Sequence, residues 1–159
     1  MRSRTAIWFE AKIRYEKMME DGCLKKVTET YVIDALSFGE AEKRILEEMT
    51  SYVSGEVEVC ALKIAPYKEI FFADSNMDDK WYVAKLAFIT IDEKTDKEKK
   101  TRACYLVNAG NINAAIKNIE EVMAGTMIDY DTLNVSETQI LDVFEYKPKG
   151  ENKPEKGDN

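Results

Sequence analysis

The first part of the chain alternates between hydrophobic and polar residues, which is the pattern of a β-strand with one buried face. Apolar or aromatic residues occupy every second position from Ile7 to Tyr15, and polar or charged residues fill most positions between them. Asp21–Gly22 then predicts a hairpin turn, because glycine adopts the positive φ that tight turns require. A second stretch, over 27–33, again carries apolar residues on one side, so we predict a β-hairpin.

A helix is predicted to follow this hairpin. Ser37 and Glu40 have the spacing of a capping box, in which the serine hydroxyl accepts a hydrogen bond from an N–H at the helix start and the glutamate reaches back. The apolar residues of one helical face are Phe38, Ala41, Ile45, Leu46, Met49 and Tyr52. Ser54–Gly55 ends the helix, and 57–72 is predicted to be extended, with a bend at Pro66. Residues 6–73 therefore predict one ββαβ unit.

The pattern of this unit returns in the second half of the chain. A shift of 73 residues aligns 8–15 with 81–88, and a shift of 74 residues aligns 31–49 with 105–123, with identical residues at several positions. The one-residue difference falls between the first two strands, where a hairpin loop can absorb it. We therefore predict an internal duplication, with a second ββαβ unit over 80–146.

The predicted fold class is α+β: two tandem ββαβ repeats related by a pseudo-twofold axis, with antiparallel sheets and helices packed on one side. In the second repeat Asn111 takes the capping position, and the residues predicted to face inward are Ile112, Ala115, Ile116, Ile119 and Met123. The connector 74–80 is too short for a flexible linker, so the repeats should form one compact domain. The polar tail 147–159 is predicted to be disordered.

Composition and charge narrow the classes of protein. No apolar run approaches the roughly 18 residues of a membrane span, and the N-terminus lacks the features of a secretory signal. Three widely spaced cysteines fit free thiols in a reducing compartment. We therefore predict a cytoplasmic protein with no membrane partner. The net charge of −7 argues against a general DNA-binding surface, because such proteins normally present a basic footprint, but a local basic face stays open.

The chain contains no histidine, which excludes every catalytic triad, dyad or general base built on imidazole. It also lacks the cysteine spacing of a zinc site and the glycine-rich loops that bind phosphate. Asp74–Asp78 has the spacing that opens an EF-hand, but Asp79 replaces the turn glycine and Lys85 replaces the bidentate glutamate. We predict no cofactor, no metal site and no catalytic residues, with carboxylate or lysine chemistry as the open alternative.

The most informative candidate surface pairs a tryptophan with a lysine in each unit. Trp8 and Lys12, like Trp81 and Lys85, lie four residues apart on predicted strands, so each pair shares the face opposite the apolar stripe. Together with Arg14, these side chains could stack the bases and follow the phosphates of a single strand of nucleic acid. The alternative, which we favour, is that each tryptophan closes the core or the contact between the units, with the lysine stem across it.

Several motifs resemble a family of small uncharacterised proteins, a domain of unknown function found in gut anaerobic bacteria and their phages. The longest is WFEAKIRYEK at 8–17, and the others lie at 27–29, 34–38, 40–42 and 91–94. The resemblance covers residues 7–146. It implies the limits of the domain and nothing about mechanism, since the family has no activity to transfer.

These patterns predict a non-enzymatic binding or assembly module of unknown biological role. A protein partner or self-association is favoured, because the first strand of the second unit is apolar on both faces. The alternative is a single-stranded nucleic-acid or nucleotide binder. The residues predicted to bind such a ligand are Trp8, Lys12, Arg14, Trp81 and Lys85.

Overall fold

A computed structural model describes residues 1–146, and the predicted disordered tail, 147–159, lies outside the described residues. Within residues 1–146 the helices are α1 (Phe38–Met49) and α2 (Ile112–Ala124). The strands are β1 (Arg2–Arg4), β2 (Trp8–Met18), β3 (Leu24–Asp34), β4 (Glu58–Ile64), β5 (Tyr67–Phe72), β6 (Lys80–Ile91), β7 (Glu98–Ala109), β8 (Asp129–Glu137) and β9 (Ile140–Phe144). The predicted α+β class is therefore confirmed.

Two long antiparallel hairpins form the centre of the fold. β2 pairs with β3 along its whole length, from Trp8 opposite Asp34 to Met18 opposite Leu24. β6 pairs with β7 in the same antiparallel way. The predicted turn of the first hairpin contains Gly22, whose φ of 82° lies in the region that favours glycine. Alternate residues of each strand consequently lie on opposite faces of the sheet.

Both helices begin at the predicted caps. The Ser37 hydroxyl accepts a hydrogen bond from the Glu40 amide at 3.1 Å, and Asn111 Oδ1 has the same role at the start of α2, at 2.8 Å. The predicted inward face of α2 is only partly correct, because Ile112 and Ile116 are exposed. The helix buries a narrower stripe than its apolar pattern suggests. Its buried residues are Ala115, Ile119 and Met123.

The last strand of each predicted unit is in fact two strands, and they join different sheets. The segment 57–72 divides at Ala65–Pro66, so that β4 pairs antiparallel with β2 and β5 pairs parallel with β7. The segment 132–146 divides in the same way, since β8 pairs antiparallel with β6 and β9 pairs parallel with β3. The prediction of antiparallel sheets was wrong for this reason: a strand that crosses to the other sheet runs parallel to its new neighbour.

The result is two mixed sheets. The first sheet has the strand order β4-β2-β3-β9, and the second has the order β1-β5-β7-β6-β8. β1, which the hydrophobic pattern does not predict, pairs antiparallel with β5 at the edge of the second sheet. Its residues Arg2, Ser3 and Arg4 are polar, so hydrogen bonds and ion pairs hold this strand in place.

Apolar side chains form three clusters between the layers. One lies between α1 and the first sheet, and another lies between α2 and the second sheet. The third joins residues of both sheets, namely Trp8, Val32, Ala65, Ile70, Trp81, Leu106, Ile140 and Val143. The layers therefore follow the order helix, sheet, sheet, helix, and each sheet carries its helix on one side.

Candidate functional site

The two tryptophans of the predicted surface lie inside the protein. Trp8 is 1% exposed and Trp81 is 5% exposed, and both belong to the cluster between the sheets. The Trp81 ring packs edge-on against Phe72, with 5.6 Å between the ring centroids. The Trp8 indole N–H has no hydrogen-bond partner within residues 1–146. Neither ring has a free face on which a nucleic-acid base could stack in this conformation.

The three cations of the predicted surface are exposed, and they lie on two different sheets. Lys12 and Arg14 lie on β2 of the first sheet, whereas Lys85 lies on β6 of the second. The cation–π contacts of the described residues join Arg2 to Phe72, Arg44 to Tyr146 and Lys68 to Phe88. None of these involves a tryptophan. The structure therefore brings the two tryptophans together and leaves the lysines away from their rings.

Arg14 lines a wide cleft of about 670 Å³ beside the first hairpin. Lys26 adds a second positive charge to its wall, but the carboxylates of Glu16, Glu56 and Glu58 lie on the same wall. A ligand with several phosphates prefers a surface of one sign of charge. Because this cleft carries charges of both signs, it does not favour a phosphate ligand.

A cluster of charged side chains lies where β3 ends and α1 begins. At its centre is Asp34, which is 4% exposed. Its carboxylate lies 2.7 Å from Arg4 Nη2 and 2.9 Å from Arg44 Nη1, and it accepts a hydrogen bond from the Tyr146 N–H at 2.7 Å. Arg44 Nη1 also donates to the backbone carbonyl of Asp34. These partners replace the water that a buried carboxylate loses.

Glu145 extends this cluster to the N-terminal strand. Its Oε1 lies 2.5 Å from Arg2 Nη2, and its Oε2 lies 3.1 Å from Arg4 Nη1. The hydrogen bond from Arg2 is the main cause that lowers the pKa of Glu145, and the same bond raises the pKa of Arg2. Because β1 belongs to the second sheet and Asp34 to the first, the ion pairs tie the two sheets together. We define the charge cluster as Arg2, Arg4, Asp34, Arg44 and Glu145.

Beside the charge cluster is a cleft of about 350 Å³, which we call the Leu36 cleft. Its apolar walls include Ala6, Ile7, Ala35 and Leu36. Leu36 is 84% exposed, Ile7 is 51% exposed and Tyr146, which also lines the cleft, is 49% exposed. Large apolar side chains that lie mostly in water beside a cavity are typical of a binding surface.

The polar groups that line the Leu36 cleft use only part of their hydrogen-bonding capacity within residues 1–146. Glu40 Oε2 accepts a hydrogen bond from the Leu36 N–H at 3.1 Å, so the capping glutamate reaches the residue before the cap. Within residues 1–146 the hydrogen bonds of Arg44 all leave from Nη1, although its side chain is only 12% exposed. The Tyr146 ring lies 5.1 Å from its guanidinium carbon. The remaining N–H groups of Arg44 can therefore donate to an acceptor in the cleft.

Among residues 1–146, no ion pair lies at the corresponding junction between β7 and α2. The shift of 74 residues places Asn108 at the position of Asp34 and Asn118 at the position of Arg44. Asn118 Nδ2 donates to the Asn108 carbonyl at 3.1 Å, as Arg44 donates to the carbonyl of Asp34. The contact with the backbone carbonyl is therefore the same at both junctions, although the charges differ.

The same junction in the second half is also covered by the chain itself. Gly110 stands at the position of Leu36, and its N–H donates to Asp78 Oδ1 at 2.9 Å. A Cβ atom at Gly110 would lie 2.8 Å from the backbone carbonyl of Met77. The close approach of the connector thus requires glycine here, whereas Leu36 is 84% exposed and no segment of residues 1–146 covers it in this way.

A second polar group lies on the helix side of the first sheet. The Tyr31 hydroxyl donates to Glu29 Oε2 at 3.2 Å, while Glu29 Oε1 has no partner within residues 1–146. Burial, with a further contribution from Glu29, raises the pKa of Tyr15 to about 12. Such a hydroxyl stays protonated at neutral pH and is no general base. In the described part of the chain, no three Cys, Asp or Glu side chains converge as a metal site needs.

Sequence reasoning missed the charge cluster and the Leu36 cleft. Arg4 and Glu145 are 141 residues apart, so no local spacing joins them. One signal was present in the internal alignment, in which Asp34 is aligned with Asn108 and Arg44 is aligned with Asn118. Two positions that change from charged to neutral together are a sign that their side chains touch.

Comparison with known proteins gives a family without an activity. The profile of a family described as a domain of unknown function (DUF4494) matches residues 7–146. No curated protein and no solved structure matches the chain. Neither helix of the described part is long and apolar enough to cross a membrane. The matched range contains both hairpins, both helices and most of the charge cluster, and the chain belongs to the DUF4494 family.

Proposed function

We propose that the chain consists of two tandem units, over 6–73 and 80–146, which are related by a pseudo-twofold axis. The equivalent contacts of Arg44 and Asn118 support this, because each side chain donates to the carbonyl at the end of its own hairpin. The strand pairing supports it too, since each unit ends in a strand that joins the sheet of the other unit. Divergence after duplication explains why, among residues 1–146, Met77 and Asp78 cover the junction at Gly110 while Leu36 is exposed.

We propose that the protein is a non-enzymatic assembly module that binds another protein surface, in the first place a second copy, through the Leu36 cleft. The observation that carries this proposal is the 84% exposure of Leu36 beside a mostly apolar cavity. Ion pairs hold the base of the cavity in place, and burial of apolar surface drives association. A cytoplasmic location and an origin in gut bacteria or their phages stay predictions.

Size-exclusion chromatography with light scattering over a dilution series tests this proposal. We expect the mass of the wild type to rise with concentration and Leu36→Asp to remain a monomer. Burial of a leucine contributes about 1.5–3 kcal/mol, so the substitution should weaken association at least about tenfold. Leu24→Asp is the matched control, because Leu24 is 61% exposed at the other end of β3. A wild type that is monomeric at every concentration would rule out self-association.

Binding of a single-stranded nucleic acid or a nucleotide is the alternative function. It depends on the exposed cations Lys12, Arg14 and Lys85, because the tryptophan rings are buried. Binding through phosphates alone should weaken steeply with salt and ignore base sequence. Fluorescence anisotropy with a short labelled oligonucleotide, on the wild type and on a Lys12→Ala, Arg14→Ala variant, measures this. Equal binding by both proteins would remove the alternative.

A further inference from the structure

The turn after α2 carries the most exposed large apolar side chain of the described residues. Met127 is 96% exposed, and Ile128 beside it is 42% exposed. Thr126 holds the turn, since its Oγ1 donates to the Met123 carbonyl at 2.7 Å and accepts from the Ile128 N–H at 3.3 Å. We call residues 126–129 the Met127 turn. Both hydrogen bonds form within a single copy of the chain.

Met127 combines an unusual backbone conformation with almost complete exposure. Met127 has a φ of 58°, in the left-handed region that a methionine rarely adopts. Its side chain gains almost no burial in return. A preformed turn loses little conformational entropy on binding, and methionine adapts to irregular apolar cavities. Both properties suit a side chain that docks into another surface.

The Leu36 cleft requires an apolar side chain with a hydrogen-bond acceptor nearby. Ile7 and Leu36 supply its apolar walls, and the nitrogens of Arg44 other than Nη1 donate no hydrogen bond within residues 1–146. The Met127 turn contains both groups, because Asp129 follows Met127 by two residues. Its carboxylate has the charge and the acceptor oxygens that a guanidinium prefers.

The second half of the chain shows how the equivalent junction is covered there. There the segment Met77–Asp78 already lies across the junction between β7 and α2. Asp78 accepts the Gly110 N–H through its carboxylate, and Met77 approaches through its backbone carbonyl. At the first junction Leu36 stands in place of Gly110, and the Leu36 N–H already donates to Glu40 Oε2. A backbone segment therefore cannot approach Leu36 as Met77 approaches Gly110, and an occupant of the Leu36 cleft has to bind through its side chains.

We propose that the Met127 turn of one copy of this chain docks into the Leu36 cleft of a second copy. This inference rests on the proposed self-association and names the two surfaces that meet. Because the two surfaces differ, the contact is head-to-tail. In a pair of copies, the copy that uses its turn keeps a free Leu36 cleft, and the copy that uses its cleft keeps a free Met127 turn. Contacts of this kind form open chains of copies unless their rotation closes a ring.

Complementation between two variants tests this geometry. Met127→Asp keeps the cleft and loses the apolar tip, and aspartate tolerates a left-handed φ better than methionine, so the turn should keep its shape. Leu36→Asp keeps the turn and loses the cleft wall. Each variant alone should associate at least about tenfold more weakly than the wild type. An equimolar mixture should form a discrete dimer in light scattering, since one intact pair of surfaces remains.

Three other outcomes would overturn the inference, and they are distinguishable. A wild type that never associates removes both the proposed function and this contact. A wild type that associates, with Leu36→Asp monomeric but Met127→Asp unchanged, keeps the cleft as an interface and removes the Met127 turn as its occupant. Two defective variants whose mixture stays monomeric exclude a head-to-tail contact.

Discussion

Replacement of Asp34 by asparagine should destabilise the protein through the arginine that it leaves behind. Asp34 is 4% exposed and contacts two guanidinium groups and one backbone N–H. Asp34→Asn removes the carboxylate from Arg44, whose side chain is 12% exposed. Removal of one partner from a buried ion pair costs about 3–5 kcal/mol, and we expect about 3 kcal/mol here, because Arg4 keeps its contact with Glu145.

A second substitution, Arg44→Asn, should restore part of this loss. The second half of the chain already has Asn108 and Asn118 at the equivalent positions, where Asn118 Nδ2 donates to the backbone carbonyl of Asn108 at 3.1 Å and Asn108 Nδ2 donates to the carbonyl of Lys80. The double variant therefore replaces an ion pair by a neutral pair that this fold accommodates. For two residues in direct contact, we expect a coupling free energy of about 1–3 kcal/mol.

Urea unfolding of the wild type, both single variants and the double variant measures this coupling. The dependence of the free energy of unfolding on urea should have the same slope in all four proteins. Asp34→Asn combined with Lys43→Asn is the matched control, since Lys43 is the exposed neighbour of Arg44 on α1. Losses that add within about 0.5 kcal/mol in the test pair would refute the argument that Asp34 acts through Arg44.

Two further predictions concern pH and backbone space. The hydrogen bond from Arg2 lowers the pKa of Glu145 from its ordinary 4.5, so this contribution to stability is present above that pH and is lost as the pH falls below it. In thermal unfolding, the midpoint of the wild type should exceed that of Glu145→Gln near neutral pH, and this difference should disappear in acid. A difference that does not change with pH would count against this ion pair. Gly110→Ala should cost about 1–3 kcal/mol, because its Cβ would lie 2.8 Å from the Met77 carbonyl. A Cβ atom at Gly39 would have no neighbour within 4 Å, so Gly39→Ala should instead stabilise α1 by about 0.5 kcal/mol. If urea unfolding showed that both variants change the free energy of unfolding in the same direction, the close approach at Gly110 would be disproved.

Local patterns along the chain were sufficient to locate most of the elements. Alternation of period two located β2 and β6, and the caps Ser37 and Asn111 located the helices, because these signals depend on residues that are near in sequence. Pro66 marked the division between β4 and β5, since proline has no N–H for the ladder. Nothing local shows which sheet β5 and β9 join. Their neighbours depend on tertiary packing between distant segments.

The candidate surface shows the same limit of local patterns. Strand parity correctly placed Trp8 and Lys12 on one face, yet Trp8 is 1% exposed and Lys12 is exposed. The cluster between the sheets contains Trp8, at the start of β2, and Trp81, near the start of β6. Which part of each strand the other sheet covers depends on how the two sheets pack, and the sequence of one strand does not determine it. The charge cluster was harder still to predict from the sequence, because Arg4 and Glu145 lie near opposite ends of the described chain and contact each other only in the complete fold.

The crossing of strands between the sheets explains why the Leu36 cleft needs both halves of the chain. Its walls come from residues 4–7, from the junction of β3 and α1, and from Tyr146 after β9. β9 reaches this place because it leaves β8 and pairs with β3. Asp34 then binds both Arg4 and the Tyr146 N–H, which joins the two ends. A molecule bound in the cleft contacts both halves, so its binding should stabilise the complete fold by mass action and raise the midpoint of one cooperative unfolding transition.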